Sequence, residues 1–262
     1  MALGFFFNPR EKSNLINEGS LQKPILLKGA EITAKLGSII PLGINFIDHL
    51  GKEVLFSSKF EKLPVILILS YYKCPMLCNL VFNGVLKMLQ EIDLSIGSDF
   101  NIISLSIDPE ENCKLAAKKR RNYLSKTSLK FNNKIWPFLV GKKENILKLA
   151  NSIGFGYVYD KINKQYAHSA GIFIISPNGE LSKIFYGISF KPSEIKFALI
   201  DAANGKIGSL VDKIILSCFN YDPDSHRYGV YIFGFMRLIG TIILILLILL
   251  ISILRCMQKK VK

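Results

Sequence analysis

The sequence has little arginine for so basic a chain. Only six of its 34 basic residues are Arg, although the net charge is +14. Proteins that contact phosphates and bases use Arg-rich patches interleaved with aromatic residues, and the sequence contains no such patch. Its densest basic run, residues 118–121, lies in a predicted helix and is interpreted as a solvated face. Nucleic acid is therefore not an expected partner.

Cysteine is sparse as well. The five cysteines are odd in number and unevenly spaced along the chain: Cys74, Cys78, Cys113, Cys218 and Cys256. Small scaffolds that rely on disulfides have denser, paired cysteines, so a disulfide framework is excluded. The set is better described as one close pair with three single cysteines.

Only one apolar run is long enough to cross a membrane. Residues 238–254 are 17 uncharged positions dominated by Leu and Ile, and a helix of about 17–25 apolar residues spans the hydrocarbon core. We predict a transmembrane helix over residues 237–255. The last eight residues hold four basic side chains and no acid. By the positive-inside rule the basic tail, 256–262, is cytoplasmic, and the globular domain is on the opposite side of the membrane.

The remaining boundaries follow from changes in pattern. Residues 1–29 show no clear periodicity and are predicted to be an N-terminal arm or leader. The first nine residues lack the basic start and the long apolar stretch of a signal peptide, so they indicate no export route. Residues 30–215 are predicted to form one domain, and 216–236 a juxtamembrane stem.

The predicted domain alternates between strand and helix patterns. Continuous apolar runs at 64–71 and 100–107 are typical of strands buried on both faces of a sheet. Residues 76–92 have the apolar spacing of an amphipathic helix. Other patterns predict a hairpin at 44–56, helices at 110–126, 144–153 and 192–203, and strands at 170–175 and 181–186. This order predicts an α/β fold of the thioredoxin-like type, with a central mixed sheet flanked by helices.

The most informative motif is Cys74-Pro75-Met76-Leu77-Cys78, where a predicted strand meets a predicted helix. The free N–H groups and the dipole of a helix start favour thiolates, and proline is compatible with that position. The i,i+4 spacing places both sulfur atoms on one face, where they can hold one ion or form a disulfide. The alternative interpretation is two ordinary buried cysteines.

A metal site needs a further ligand, and of the three histidines His168 is the one placed to serve. It ends a predicted loop, 160–167, directly before the strand at 170–175. In a thioredoxin-like sheet this junction lies beside the start of the helix that carries the cysteines. Two thiolates and one imidazole suit copper, whereas a structural zinc ion usually has a fourth protein ligand. The alternative interpretation is a hydrogen-bonded loop histidine.

Three segments, 71–79, 106–110 and 168–179, resemble the motifs of the Sco/SenC proteins, and the similarity extends from about residue 37 to residue 205. The resemblance implies a thioredoxin-like fold and copper ligation by Cys74, Cys78 and His168. It also implies assembly of the dinuclear copper centre of cytochrome c oxidase, by donating copper, by reducing the receiving cysteines, or both. The implied partners are the copper-bearing oxidase subunit and a copper donor or thiol reductant.

The sequence therefore supports two functions from different classes. One is a membrane-anchored copper chaperone, and the other is a thiol-disulfide oxidoreductase that uses Cys74 and Cys78 as a redox-active pair. Thioredoxin-type oxidoreductases have CxxC spacing and a proline before the facing strand, but this chain has CxxxC and Ala167-His168 there. This difference favours copper binding. A copper or redox sensor is a third and weaker interpretation.

Other polar residues are assigned structural roles. Asp108 is predicted to cap the helix that follows it, and the alternative is that it supports the cysteine site. His49 is interpreted as a turn residue and Trp136 as part of the core. Cys218 is interpreted as a spare thiol, with an added metal ligand as the alternative, and the two remaining single cysteines are interpreted as inert.

Overall fold

The computed structural model describes residues 29–207, apart from 76, 128 and 130–134, together with the backbone of two short strands, Tyr221–Asp222 and Arg227–Tyr228. Apart from those two strands, the predicted stem lies outside the described residues, as do the predicted transmembrane helix and the basic tail. Within the described part of the chain, no helix combines the length and apolar character needed to cross a membrane.

The described domain is an α/β fold with a mixed sheet. Its strands are β1 (Asn45–Asp48), β2 (Glu53–Leu55), β3 (Val65–Ser70), β4 (Asn101–Ser106), β5 (Phe138–Val140), β6 (Tyr157–Asp160), β7 (Gln165–His168), β8 (Gly171–Ile175) and β9 (Leu181–Tyr186). Its helices are α1 (Leu77–Glu91), α2 (Cys113–Leu124), α3 (Lys143–Ile153) and α4 (Pro192–Ala203). The sheet order is β2-β1-β5-β4-β3-β8-β9, while β6 and β7 form a separate hairpin. This confirms the predicted mixed sheet flanked by helices.

Strands β3 and β4 form the centre of the sheet and fix the position of the cysteine motif. They are parallel, with Val65 opposite Asn101 and Ser70 opposite Ser106. All six residues of β3 are buried, as expected for a strand covered on both faces. Because the two strands end side by side, the segments that follow Ser70 and Ser106 emerge next to each other at one edge of the sheet.

Each face of the sheet has its own apolar core. One core contains side chains of α3 together with Cys74 and Cys78. The other contains side chains of α1, α2 and α4 and a cluster of aromatic rings. In that cluster Phe82 stacks on Phe138 at 5.4 Å between ring centroids. Trp136 is buried and donates to the Ser104 hydroxyl over 2.8 Å, so the structure confirms its predicted core role.

Helix α1 packs very closely against the segment before α4. A Cβ atom on Gly84 would overlap the carbonyl oxygen of Ile188. Glycine is therefore required here by the approach of the neighbouring backbone rather than by a turn.

Three predicted details are wrong. Residues 160–167 are not a simple loop, because Asp160 and Gln165 already pair as the ends of the β6–β7 hairpin. Asp108 does not cap α2. The N-cap is Asn112, whose side chain accepts from Leu115 N, while the Asp108 carboxylate accepts from Glu110 N, only two residues further on.

The basic run 118–121 is only partly solvated, which is the third difference. Lys118 and Arg121 are exposed, but Lys119 and Arg120 are buried. Arg120 donates to the carbonyl oxygen atoms of Trp136 and Ile135. Both side chains lie on the buried side of α2, where they donate to oxygen atoms of the domain.

Candidate metal centre

The cysteine motif connects β3 to α1. Cys74 lies just before the helix, and its N–H donates to Tyr71 O at 3.2 Å. Cys78 is in the first turn, where its N–H donates to Cys74 Sγ at 3.4 Å. An N–H group of a helix start is thus directed at the first sulfur atom, an arrangement that favours negative charge there. Both cysteines are buried thiols outside any disulfide.

His168 approaches the second sulfur atom from the hairpin. It is the last residue of β7, and its Nε2 atom lies 3.3 Å from Cys78 Sγ. Its Nδ1 atom lies 3.0 Å from Ser169 O. Because a carbonyl oxygen can only accept, Nδ1 carries the proton and Nε2 presents its lone pair to the sulfur atom. This is the tautomer that a metal-binding imidazole requires.

Aromatic rings hold this imidazole in place. The Tyr71 ring lies 6.2 Å from it and the Phe155 ring 5.5 Å, measured between centroids. Burial lowers the pKa of His168, although its hydrogen bond to Ser169 O opposes the shift. The ring is therefore neutral at physiological pH, with its lone pair available.

The two sulfur atoms influence each other. The hydrogen bond with Cys74 raises the pKa of Cys78, and burial and the negative charge of Cys74 add to this effect, while the charge of Lys119 opposes it. The pair therefore loses its first proton much more readily than its second. Binding of a cation to both sulfur atoms would displace the remaining proton.

The three predicted ligands lie close together but do not form a complete metal-binding site. Cys78 and His168 are in contact, and Cys74 is in contact with the Cys78 backbone. No group of three or more His, Cys, Asp or Glu side chains in the described residues is arranged to hold a metal ion as it stands. The donor set nevertheless fits a soft, low-coordinate cation, because two sulfur atoms and one imidazole nitrogen suit copper.

Sequence comparison identifies the family. The model of the SCO1/SenC family matches residues 44–202, a range that contains the complete β3–α1 motif and the β6–β7 hairpin. The chain belongs to the SCO1/SenC family. No curated protein sequence matches this SCO1/SenC chain.

Solved structures support the same fold for this SCO1/SenC protein. An Aquifex aeolicus VF5 protein assigned provisionally to electron transfer has 24% identity and a TM-score of 0.58, covering 65% of this chain and 95% of its own. BsSco, a member of the Sco family of cytochrome c oxidase assembly proteins with a disulfide switch, has 20% identity and a TM-score of 0.51, covering 67% and 99%. Arabidopsis thaliana ScoI with copper bound has 19% identity and a TM-score of 0.50, covering 65% and 99%.

A buried carboxylate, which sequence reasoning missed, holds the cysteine loop of this SCO1/SenC domain. Glu111 accepts from Tyr72 N and Lys73 N, each at 2.7 Å, and from Ser106 Oγ at 2.6 Å. Three donors satisfy its charge inside the protein. The N–H groups that precede Cys74 are therefore fixed to the segment that follows β4, which explains why the loop can keep one conformation.

A second polar group was missed on α2. Lys119 donates to Tyr72 O at 2.9 Å and to Asn79 Oδ1 at 2.8 Å, and the Tyr123 hydroxyl donates to the same Asn79 oxygen at 2.7 Å. One sequence signal was available, because Ala116, Lys119 and Tyr123 recur at helical spacing on the buried side of α2. A lysine in such a stripe indicates an internal partner.

Proposed function

We propose that this protein is a membrane-anchored copper chaperone that assists assembly of the dinuclear copper centre of cytochrome c oxidase. In this proposal Cys74, Cys78 and His168 are the copper ligands. The observation that carries it is the 3.3 Å contact between Cys78 Sγ and the unprotonated Nε2 of His168. A sulfur atom and an imidazole lone pair directed at each other across a buried gap make the start of a metal site.

The choice of copper rests on donor chemistry. Two thiolates and one imidazole suit a soft ion that accepts three ligands, and Cu(I) meets that description. Arabidopsis thaliana ScoI has been solved with copper bound, and BsSco is a member of a family of oxidase assembly proteins. Family membership together with the donor set therefore favours copper as the cargo of this chain.

The residues of the chain prepare the site in three ways. Ser169 O keeps the proton of His168 on Nδ1, so that Nε2 remains free to bind. The Cys78 N–H stabilises negative charge on Cys74 Sγ. Burial of both cysteines excludes water and lowers access for competing thiols. When bound, copper would supply the positive charge that allows both sulfur atoms to be thiolates.

Thiol-disulfide exchange is the second candidate function. It is favoured by the proximity of Cys74 Sγ to the Cys78 backbone, which places the two thiols within reach of a disulfide after side-chain rotation. BsSco is described with a disulfide switch. In this role the pair would reduce the receiving cysteines of the oxidase subunit and become oxidised itself.

The proposal includes the membrane arrangement. Residues 30–215 would form the copper-binding domain, 216–236 the stem, 237–255 the membrane helix and 256–262 a cytoplasmic tail. The apolar run and its basic flank support this arrangement, which places the metal site on the outer face of a bacterial inner membrane. The test is extraction of cell membranes at alkaline pH, after which the chain should stay with the lipid fraction. Recovery in the wash would contradict the anchor.

Copper titration tests the function directly. The reduced full-length chain in detergent should bind about one copper ion, and Cys74→Ser with Cys78→Ser should abolish this binding. Cys113→Ser is the matched control, because Cys113 is a half-buried thiol on α2 outside the motif. Equal affinity in the double variant would contradict the copper proposal. In cells, deletion of the protein should lower oxidase activity at limiting copper, and normal activity there would contradict the assembly role.

A further inference from the structure

The Lys119 ammonium is buried directly behind the cysteine motif. It donates to Tyr72 O, two residues before Cys74, and to Asn79 Oδ1, one residue after Cys78. Its Nζ atom also lies 5.6 Å from the centre of the Tyr123 ring. The cation is therefore fixed between the two ends of the motif rather than extended into solvent.

Asn79 extends this contact to the motif backbone. While its oxygen atom accepts from Lys119 and Tyr123, its Nδ2 atom donates to Pro75 O at 3.1 Å and to Cys74 O at 3.4 Å. A continuous hydrogen-bonded chain thus runs from the ammonium to the backbone of the first cysteine. Movement of Lys119 would be transmitted to the position of that residue.

A buried cation requires compensating negative charge. Burial lowers the pKa of Lys119, whereas the charges of Cys78, Cys74 and Glu111 raise it. The Glu111 carboxylate already accepts from three other donors. The sulfur atoms of the motif and this carboxylate therefore both contribute negative charge that stabilises the Lys119 ammonium.

We propose that Lys119 is a positioning residue that makes the Cys74–Cys78–His168 site selective for Cu(I) over Cu(II). This inference rests on the proposed copper site. Two thiolates, a neutral imidazole and Cu(I) carry a net charge of −1, whereas the same ligands with Cu(II) are neutral. A fixed positive charge stabilises the anionic complex and leaves the neutral one nearly unchanged. Because both complexes form from the same empty site, Lys119 raises the Cu(I) affinity relative to the Cu(II) affinity.

The test compares the two affinities in the reduced full-length chain. Cu(I) affinity is measured without oxygen by competition with bathocuproine disulfonate, and Cu(II) affinity by competition with nitrilotriacetate. In Lys119→Met the ratio of the Cu(I) affinity to the Cu(II) affinity should fall about tenfold, because one unit of positive charge beside the site is lost at an effective dielectric constant of about 20. The potential of bound copper follows this ratio and should fall by about 59 mV.

Three further variants separate charge from structure. Lys118→Met makes the same chemical change on the exposed side of α2 and should leave both affinities unchanged. Tyr123→Phe removes a donor to Asn79 without a change of charge, so the ratio of the affinities should also stay constant. Lys119→Arg keeps the charge and should retain most of the selectivity. If Lys119→Met does not fold, Lys119→Gln provides the neutral side chain.

The outcomes distinguish this inference from the function on which it rests. Equal losses of Cu(I) and Cu(II) affinity in the neutral Lys119 variants would show a purely structural role and overturn the inference, while copper binding itself would stand. An unchanged ratio of the Cu(I) affinity to the Cu(II) affinity in these variants would also overturn the inference. A wild-type chain that binds neither ion would overturn both the proposed function and the inference.

Discussion

His168 Nε2 lies 3.3 Å from Cys78 Sγ, although 90 residues separate the two along the chain. The sulfur atom is on the first turn of α1, and the imidazole ends the β6–β7 hairpin. Their contact therefore depends on how the hairpin docks against the main sheet. It brings together two donor types that no single element of the fold supplies.

Replacement of His168 by Ala should weaken copper binding about a hundredfold, with a larger effect on Cu(II) than on Cu(I). The reason is that Cu(I) is stable with two thiolates alone, whereas Cu(II) needs the nitrogen ligand more. Competition titrations measure both constants. His49→Gln is the control, since His49 is a buried histidine in the β1–β2 turn. If His168→Ala binds both ions like the wild type, the imidazole is not a ligand.

Replacement of Glu111 by Gln should lower the free energy of unfolding by about 3 kcal/mol, because an amide cannot accept from three donors and leaves buried N–H groups unsatisfied. Urea unfolding followed by circular dichroism measures the change. Glu110→Gln is the matched control one residue away, where the side chain is exposed. Similar losses in both variants would show that the carboxylate at 111 has no special role.

His49 predicts an acid-sensitive fold. Its side chain is buried, and neither ring nitrogen has a hydrogen-bond partner among the described residues. Burial, together with the charge of Arg120, lowers the pKa of His49 from 6.5 to about 4. Between these values the unfolded chain binds a proton that the folded chain does not. The free energy of unfolding therefore has its full value above pH 6.5. It decreases as the pH falls toward 4, by about 3 kcal/mol for this group.

The measurement for His49 is urea unfolding at several pH values. His49→Gln should have a shallower decline of stability between pH 6.5 and 4 than the wild type, whatever its stability at pH 8. The pKa of His168 is also lowered by burial, so some decline of the same sign should remain. Parallel curves for the variant and the wild type would refute the assignment to His49.

Gly84→Ala should destabilise the domain by about 1–3 kcal/mol even though alanine favours helices by about 1 kcal/mol over glycine. The added methyl group would overlap Ile188 O and push α1 away from the neighbouring segment. Gly43→Ala is the control, since a Cβ atom there would meet nothing within 4 Å. Thermal unfolding gives both values. A Gly84→Ala variant as stable as the wild type would show that the segment moves aside at little cost.

Much of the fold could be predicted from local pattern. The apolar run at 64–71 and the helical spacing at 76–92 correspond to β3 and α1, because a continuous apolar run and a 3.6-residue period are direct consequences of burial. The cysteine motif was placed correctly at their junction for the same reason. Strand β5 and the β6–β7 hairpin were missed, since they are only three and four residues long.

The buried charges could not be found in this way. Glu111 and Lys119 are types that usually face solvent, and their partners are backbone groups from another part of the chain. These hydrogen bonds form only after α2 has packed beside the β3–α1 loop. The position of the motif could therefore be predicted from the sequence, but the polar groups that fix its geometry could not.

The β6–β7 hairpin, which carries His168, forms a two-stranded sheet of its own, apart from the seven-stranded sheet whose strand β3 leads into the cysteine motif. Around the imidazole lie the rings of Tyr71 and Phe155, and among the described residues no strand ladder joins β7 to the larger sheet. If copper is bound as proposed, displacement of this hairpin would remove the imidazole from the ion while Cys74 and Cys78 keep their places on the β3–α1 connection. Release of copper would then proceed one ligand at a time, without unfolding any part of the central sheet.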